Sequence, residues 1–191
     1  MLKFAIICLC DTLIKDMKNS QETPQNWAFH GILRRLKSMI KVLFICHGNI
    51  CRSPKAEYVM QHMVEERHIA HKYHIESAAT SREEIGNDVH HGTKRKLREV
   101  GIACPRRAAR QVTRQDYDDY DYLIVMDQWN IRNLNRIIGS DPDSKVHKLL
   151  EFAGSSRDIA DPWYTGNFDE TYNDVVEGVT ALIEKIESEA K

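Results

Sequence analysis

The rhythm of apolar and polar positions changes at Met39. Beyond it, Ile40-Lys41-Val42-Leu43-Phe44-Ile45 is a short β-branched and aromatic run, which reads as a buried strand. Ala56, Val59, Met60, Met63 and Val64 then recur at helical spacing. Ser53-Pro54 supplies start chemistry for that helix, a cap residue followed by proline at the first helical position. Residues 73–78 predict a second strand, and residues 92–100 a helix closed by Gly101. Thr113 and Asp116 have capping-box spacing and open a short helix. Residues 122–126 predict a central strand, 129–138 a helix and 146–152 a fourth strand. The stripe Tyr172, Val175, Val176, Val179, Leu182, Ile183 and Ile186 marks a long final helix. Strands alternating with helices imply an α/β fold with a parallel sheet covered on both faces. Ligands of such folds sit beyond the carboxyl ends of the strands, which singles out the loop after the first strand.

The segment before Met39 lacks this pattern. Its longest apolar run, residues 4–10, follows Lys3 and is ended by Asp11. It is far short of the roughly 20 residues of a membrane span. It also has no small-residue cleavage site of the secretory kind, so no signal peptide is expected. Phe29, Ile32, Leu33 and Leu36 recur at helical spacing beside Arg34, Arg35 and Lys37. We read residues 1–38 as a weakly structured extension not expected to touch a membrane, Met39 as an alternative start, and residues 39–191 as the domain.

A chain of 191 residues accommodates one ordinary domain. With 27 basic and 28 acidic residues its formal net charge is −1, so nothing draws the whole molecule to nucleic acid, and any anion site must be local. The five cysteines, Cys8, Cys10, Cys46, Cys51 and Cys104, are odd in number and lack zinc spacing, as expected for reduced thiols in a cytoplasmic protein. His68, His71, His74, His90 and His91 have no matching ligand partners and read as solvated side chains. No metal or cofactor is expected.

The loop after the first strand is Cys46-His47-Gly48-Asn49-Ile50-Cys51-Arg52-Ser53. Amides of a turn between a strand and a helix converge into an anion-binding nest, and the helix directs its positive end there. Gly48 and Asn49 suit the tight backbone path. Arg52 offers a planar fork matched to two phosphate oxygens. Cys46 lies under this field, which is expected to lower its thiol pKa and produce a nucleophile facing a bound oxyanion. Ser53 can donate to that thiolate and make it a better leaving group. His47, Gly48, Asn49, Ile50, Cys51 and Ser53 are therefore candidate substrate-binding residues. A buried structural cysteine is the bland alternative for Cys46, and the assembled loop argues against it.

Val42 through Pro54 resembles the signature of the low-molecular-weight protein tyrosine phosphatases. The resemblance continues through Ser77, Ala109-Arg110-Gln111-Val112, residues 121–127, residues 130–135 and Asp161-Pro162-Trp163-Tyr164. It implies a flavodoxin-like three-layer fold with a four-stranded parallel sheet in the order 2-1-3-4. It also implies phosphotyrosine hydrolysis through a cysteinyl-phosphate, with tyrosine-phosphorylated proteins as partners and phosphate or other oxyanions in the site. Expulsion of a phenolate needs a proton, and by resemblance Asp161 is the general acid. Without the resemblance Asp161 reads as a turn aspartate before proline. Trp163 and Tyr164 would wall the substrate ring. Two departures stand out. Arg107 occupies a region where the family often has a histidine that helps to hold the loop asparagine. Arg82-Glu83-Glu84 is charged where animal members often carry an aromatic residue.

Two other functions share this loop. An arsenate reductase would need resolving cysteines downstream, and after Cys51 the sequence has only Cys104. A non-catalytic phosphate-binding module would lack nucleophile or acid, whereas Cys46, Arg52 and Asp161 are all present.

Overall fold

The computed structural model describes residues 39–189. The expectations for residues 1–38, including the run at 4–10 and the spacing at 29–36, fall outside the described residues. Strand β1 (Ile40–Cys46) is buried on both faces from Val42 onward. Helix α1 (Arg52–Glu66) follows, then β2 (Tyr73–Ala79), α2 (His91–Glu99), α3 (Arg114–Asp119), β3 (Tyr122–Val125), α4 (Gln128–Ile138) and β4 (Val146–Lys148). A short helix α5 (Pro162–Thr165) and the long α6 (Phe168–Glu189) complete the order.

The sheet order is β2-β1-β3-β4, and all three pairings are parallel. Successive side chains of β1 point to opposite faces, and each face meets its own helical layer. Val42, Phe44 and Cys46 join α1 and α6 through Val59, Met60, Val179 and Leu182. Leu43 and Ile45 join Tyr117 of α3 and Leu134 and Ile138 of α4. Each fully buried aliphatic or aromatic side chain of this kind contributes about 1.5–3 kcal/mol of transfer free energy. The three layers and the strand order make the fold flavodoxin-like, as the resemblance implied. The winding order of the strands reverses at β1, with β2 on one side and β3 on the other, so the crevice beyond Cys46 lies at a topological switch point.

Local signals explain most boundaries. Thr113 and Asp116 form a reciprocal capping box on α3. Gly101 follows α2 at φ +78, a left-handed position that glycine adopts without strain. Two expectations are corrected. Helix α1 begins at Arg52 with Cys51 as its cap residue, and no side chain caps it. Ser53 lies inside the first turn because its hydroxyl is used by the loop at Cys46 instead. The expected strand at 146–152 ends at Lys148 and turns into a 3-10 segment, Leu149–Glu151. Glu151 accepts from the Lys148 amide at 3.1 Å, and Leu149 and Leu150 are buried. Leu149 Cγ lies 2.5 Å from where a Cβ on Gly178 would stand, so α6 approaches this turn too closely for any larger residue.

Candidate active site

The loop of residues 46–53 leaves β1 at Cys46 and enters α1 at Arg52. Its central residue, Asn49, is in the left-handed region at φ 58. That conformation carries strain for a non-glycine residue unless its surroundings hold it. Here they do. Asn49 Nδ2 donates to Ser53 Oγ at 2.9 Å and to Ser77 Oγ at 2.7 Å. Asn49 Oδ1 accepts from Arg107 Nη2 and from the Arg110 amide, each at 3.3 Å. All four bonding positions of the amide are thus filled. Arg107 also donates through Nη1 to Glu57 Oε2 and to Ser77 Oγ, and Ser77 Oγ donates to Glu57 Oε2 at 2.6 Å. Arg107 therefore supports Asn49 as a fixed cation, with Glu57 as its counter-charge.

Held this way, Asn49 donates its backbone N–H to Cys46 Sγ at 3.3 Å. Ser53 Oγ lies 3.1 Å from the same sulfur. Because Ser53 Oγ already accepts from Asn49, its single proton is directed to Cys46 Sγ or to the Ala78 carbonyl, 3.3 Å away. Cys46 is almost fully buried at the carboxyl end of the interior strand β1, with two donors placed for a thiolate. Among the described residues, no protein acceptor takes the amides of Gly48, Ile50 or Cys51.

Arg52 is 3% exposed and reaches beneath the loop. Its Nη1 donates to Asp127 Oδ2 at 2.5 Å and to the Ile159 carbonyl at 3.2 Å, and its Nη2 donates to Asp161 Oδ2 at 2.5 Å. Arg52 Nε is buried without a partner. Burial opposes the guanidinium charge, but Cys46, Asp161 and Asp127 outweigh it and raise its pKa above the ordinary value. Burial, reinforced by Cys46 and Asp161, pushes the neighbouring Cys51 thiol up to about 12. Asp161 caps α5 by accepting from the Trp163 amide at 3.1 Å, with Pro162 next to it as the first helical residue.

A pocket of about 110 Å³ opens over the sulfur, lined by Cys46, His47, Gly48, Ile50, Cys51 and Asp161. Trp163 and Tyr164 form one part of its rim, and Glu83 and Glu84 another. The Trp163 ring meets the edge of His90 at 5.6 Å, and His90 stacks on Phe168 at 5.3 Å with an interplanar angle of 2°. Phe168 in turn packs so closely on Gly92 that a Cβ there would lie 2.4 Å from its ring. A second cleft of about 510 Å³ shares His47, Asp161 and Tyr164 and continues past Arg52 to Trp129.

The site thus consists of a buried cysteine sulfur beneath a loop of unpaired amides, with a buried arginine beside it. The profile of the low molecular weight phosphotyrosine protein phosphatases matches residues 41–191. The chain belongs to that family. It is 40% identical over 153 residues to the low molecular weight protein-tyrosine-phosphatase YfkJ of Bacillus subtilis, an alignment covering 79% of this chain and 98% of that one. It is 35% identical over 153 residues to PtpA of Staphylococcus aureus, covering 80% and 97%. The crystal structure of YfkJ superposes with a TM-score of 0.77, covering 81% of this chain and 98% of that one. The low molecular weight phosphatase of Streptococcus pyogenes has a TM-score of 0.69 at 39% identity, covering 78% and 93%.

All eleven candidate residues of this phosphatase gather around the one crevice. Cys46, Asn49 and Ser53 are joined by hydrogen bonds, Arg52 and Asp161 form a second bonded pair, and the remaining six line the pocket. Sequence reasoning missed Asp127 as the second carboxylate on Arg52. Its signal, an aspartate between a strand and a helix, announces only the cap that it also forms, accepting from the Asn130 amide at 2.6 Å. It also missed Glu57, which lies among the polar positions of α1 and gives no periodic signal of its own.

Proposed function

We propose that Cys46, Arg52 and Asp161 carry the reaction of this cysteine-dependent protein-tyrosine-phosphatase. The observation that carries the reading is Cys46 Sγ, buried at the end of β1, receiving the Asn49 amide and facing the Ser53 hydroxyl. In the first step the thiolate attacks phosphorus and the phenolate leaves. Arg52 and the amides of the loop balance charge on the equatorial oxygens. Asp161 gives the leaving oxygen its proton. In the second step Asp161 takes a proton from water, which attacks the cysteinyl-phosphate and releases phosphate. The Ser53 hydroxyl then stabilises the departing thiolate.

Both carboxylate oxygens of Asp161 are engaged, one by Arg52 and one by the Trp163 amide. The acid role requires Arg52 to exchange Asp161 for a phosphate oxygen, which frees Oδ2 for the proton. Ligand binding and acid activation are thereby one event.

The substrates in this reading are tyrosine-phosphorylated proteins, with the aryl ring walled by Trp163 and Tyr164. Among the described residues no helix is long and apolar enough to cross a membrane. Catalysis needs a reduced Cys46, which fits the cytoplasm, the location we propose.

The test is a pair of variants. Cys46→Ser is expected to lose turnover of an aryl phosphate and still bind vanadate, because Arg52 and the loop amides remain. Arg52→Ala is expected to lose both. Turnover by Cys46→Ser at the wild-type rate removes the nucleophile assignment.

A further inference from the structure

The carboxylates of the crevice fall into two groups. Asp127 and Asp161 share Arg52, and Asp158 pairs with Lys148 at 3.0 Å. Glu83 and Glu84 are different. Glu83 meets the imidazole of His47 at 3.0 Å, and Glu84 accepts from the Asn87 amide group at 2.7 Å. Among the described residues neither is paired with a lysine or arginine. Two carboxylates without a lysine or arginine partner thus stand at the mouth of a pocket whose floor is built for a phosphate.

Their placement is set by the fold. The Thr80 amide donates to the Cys46 carbonyl at 2.8 Å, and the Ser81 amide to the His47 carbonyl at 2.9 Å. The segment returns through Gly86, whose amide donates to the Ala109 carbonyl at 2.9 Å. Glu84 Cγ lies 3.0 Å from where a Cβ on Gly48 would stand, so its stem rests against the phosphate loop itself. The aromatic part of the rim, Trp163 and Tyr164, lines the same opening and is exposed.

We propose that Glu83 and Glu84 make this phosphatase select phosphotyrosine flanked by lysine or arginine. The proposal rests on the phosphotyrosine reading above. A substrate that brings only its phosphate adds negative charge beside two carboxylates that no lysine or arginine neutralises. A cationic neighbour of the phosphotyrosine supplies the missing charge where the peptide backbone passes the rim. An exposed ion pair is worth up to a factor of about five and is weakened by salt. Two carboxylates therefore give a preference of about fivefold to tenfold at low ionic strength.

The experiment measures kcat/KM of the full chain on two phosphotyrosine peptides that differ only beside the phosphotyrosine, lysine in one and glutamate in the other. Nitrophenyl phosphate is the third substrate. The expected result is a fivefold to tenfold preference for the lysine peptide at low salt, shrinking to less than twofold in 0.5 M salt. In Glu83→Gln/Glu84→Gln the preference is lost and KM for nitrophenyl phosphate falls about twofold to threefold, as repulsion of the anion is removed. Equal rates on the two peptides overturn the proposal while leaving the phosphotyrosine reading intact, and so does a preference that survives in the double variant. Failure to hydrolyse any of the three substrates overturns both.

Discussion

Arg52 Nη2 and Asp161 Oδ2 lie 2.5 Å apart, although 109 positions separate the two residues in the chain. The contact joins the loop after β1 to the loop that carries the proposed acid. It makes the ion pair, rather than either residue by itself, the resting arrangement of the site.

Replacement of that acid tests its role through the leaving group. Asp161→Asn keeps the cap on α5 and removes the proton. Esters of ordinary phenols, which leave as strong bases, are expected to lose about 10²–10⁴-fold in kcat, the usual worth of general acid catalysis. Nitrophenyl phosphate needs less help and is expected to lose clearly less. An equal loss on both substrates would remove Asp161 from the acid role.

Cys46 and Cys51 bracket one loop and are both buried. Burial, followed by the charges of Cys46 and Asp161, holds the Cys51 thiol up to about 12. Peroxide is therefore expected to attack Cys46, with Cys51 reacting only afterwards by closing a disulfide on the sulfenic acid. Inactivation by peroxide followed by thiol should restore the wild type and fail to restore Cys51→Ser. Equal recovery in the variant would show that Cys51 gives no protection.

Lys55 is fully buried, with its Nζ donating to the Phe168 carbonyl at 2.9 Å. Burial, only partly offset by Cys51, lowers its pKa from 10.5 to about 8. Below about pH 8 the ammonium is charged in both folded and unfolded chains, so folding carries the whole cost of burying it. Between about 8 and 10.5 the folded chain has already released the proton that the unfolded chain keeps. This contribution to stability therefore rises with pH through that window. Lys55→Met is expected to stabilise the protein by about 1–2 kcal/mol at pH 7, after allowing for the lost hydrogen bond. The gain should vanish by pH 10.5. Denaturant unfolding at the two pH values measures it, and a Met variant less stable at pH 7 would contradict the argument.

Every residue proposed for the chemistry lies after Met39, and β1 begins at Ile40. A chain starting at Met39 is expected to be soluble and to turn over a small aryl phosphate within about threefold of the full chain, about 0.65 kcal/mol in barrier. Loss of solubility or activity on this truncation would show that residues 1–38 are needed by the domain.

What the sequence determined by itself was local. The run from Ile40 to Ile45, the C-x5-R loop and the periodic faces of α1 and α6 each arise from neighbours within one or two turns of chain. Strand, loop and helix were legible there because backbone preference and hydrophobic spacing act over that range. The capping box at Thr113 and the glycine stop at Gly101 were readable for the same reason. Tertiary structure decided what depends on distant partners. Residues 146–152 looked like one strand, yet Gly178 admits Leu149 so closely that the chain turns after Lys148. Ser53 looked like a cap, yet the cysteine sulfur and Asn49 claim its hydroxyl. Asp127 and Asp161 meet on Arg52 only because β3 lies beside β1 and the chain returns to that edge before α6. Burial of Arg52 makes such charged partners worth more than they would be in water, and burial is a property of the assembled layers that no stretch of sequence contains.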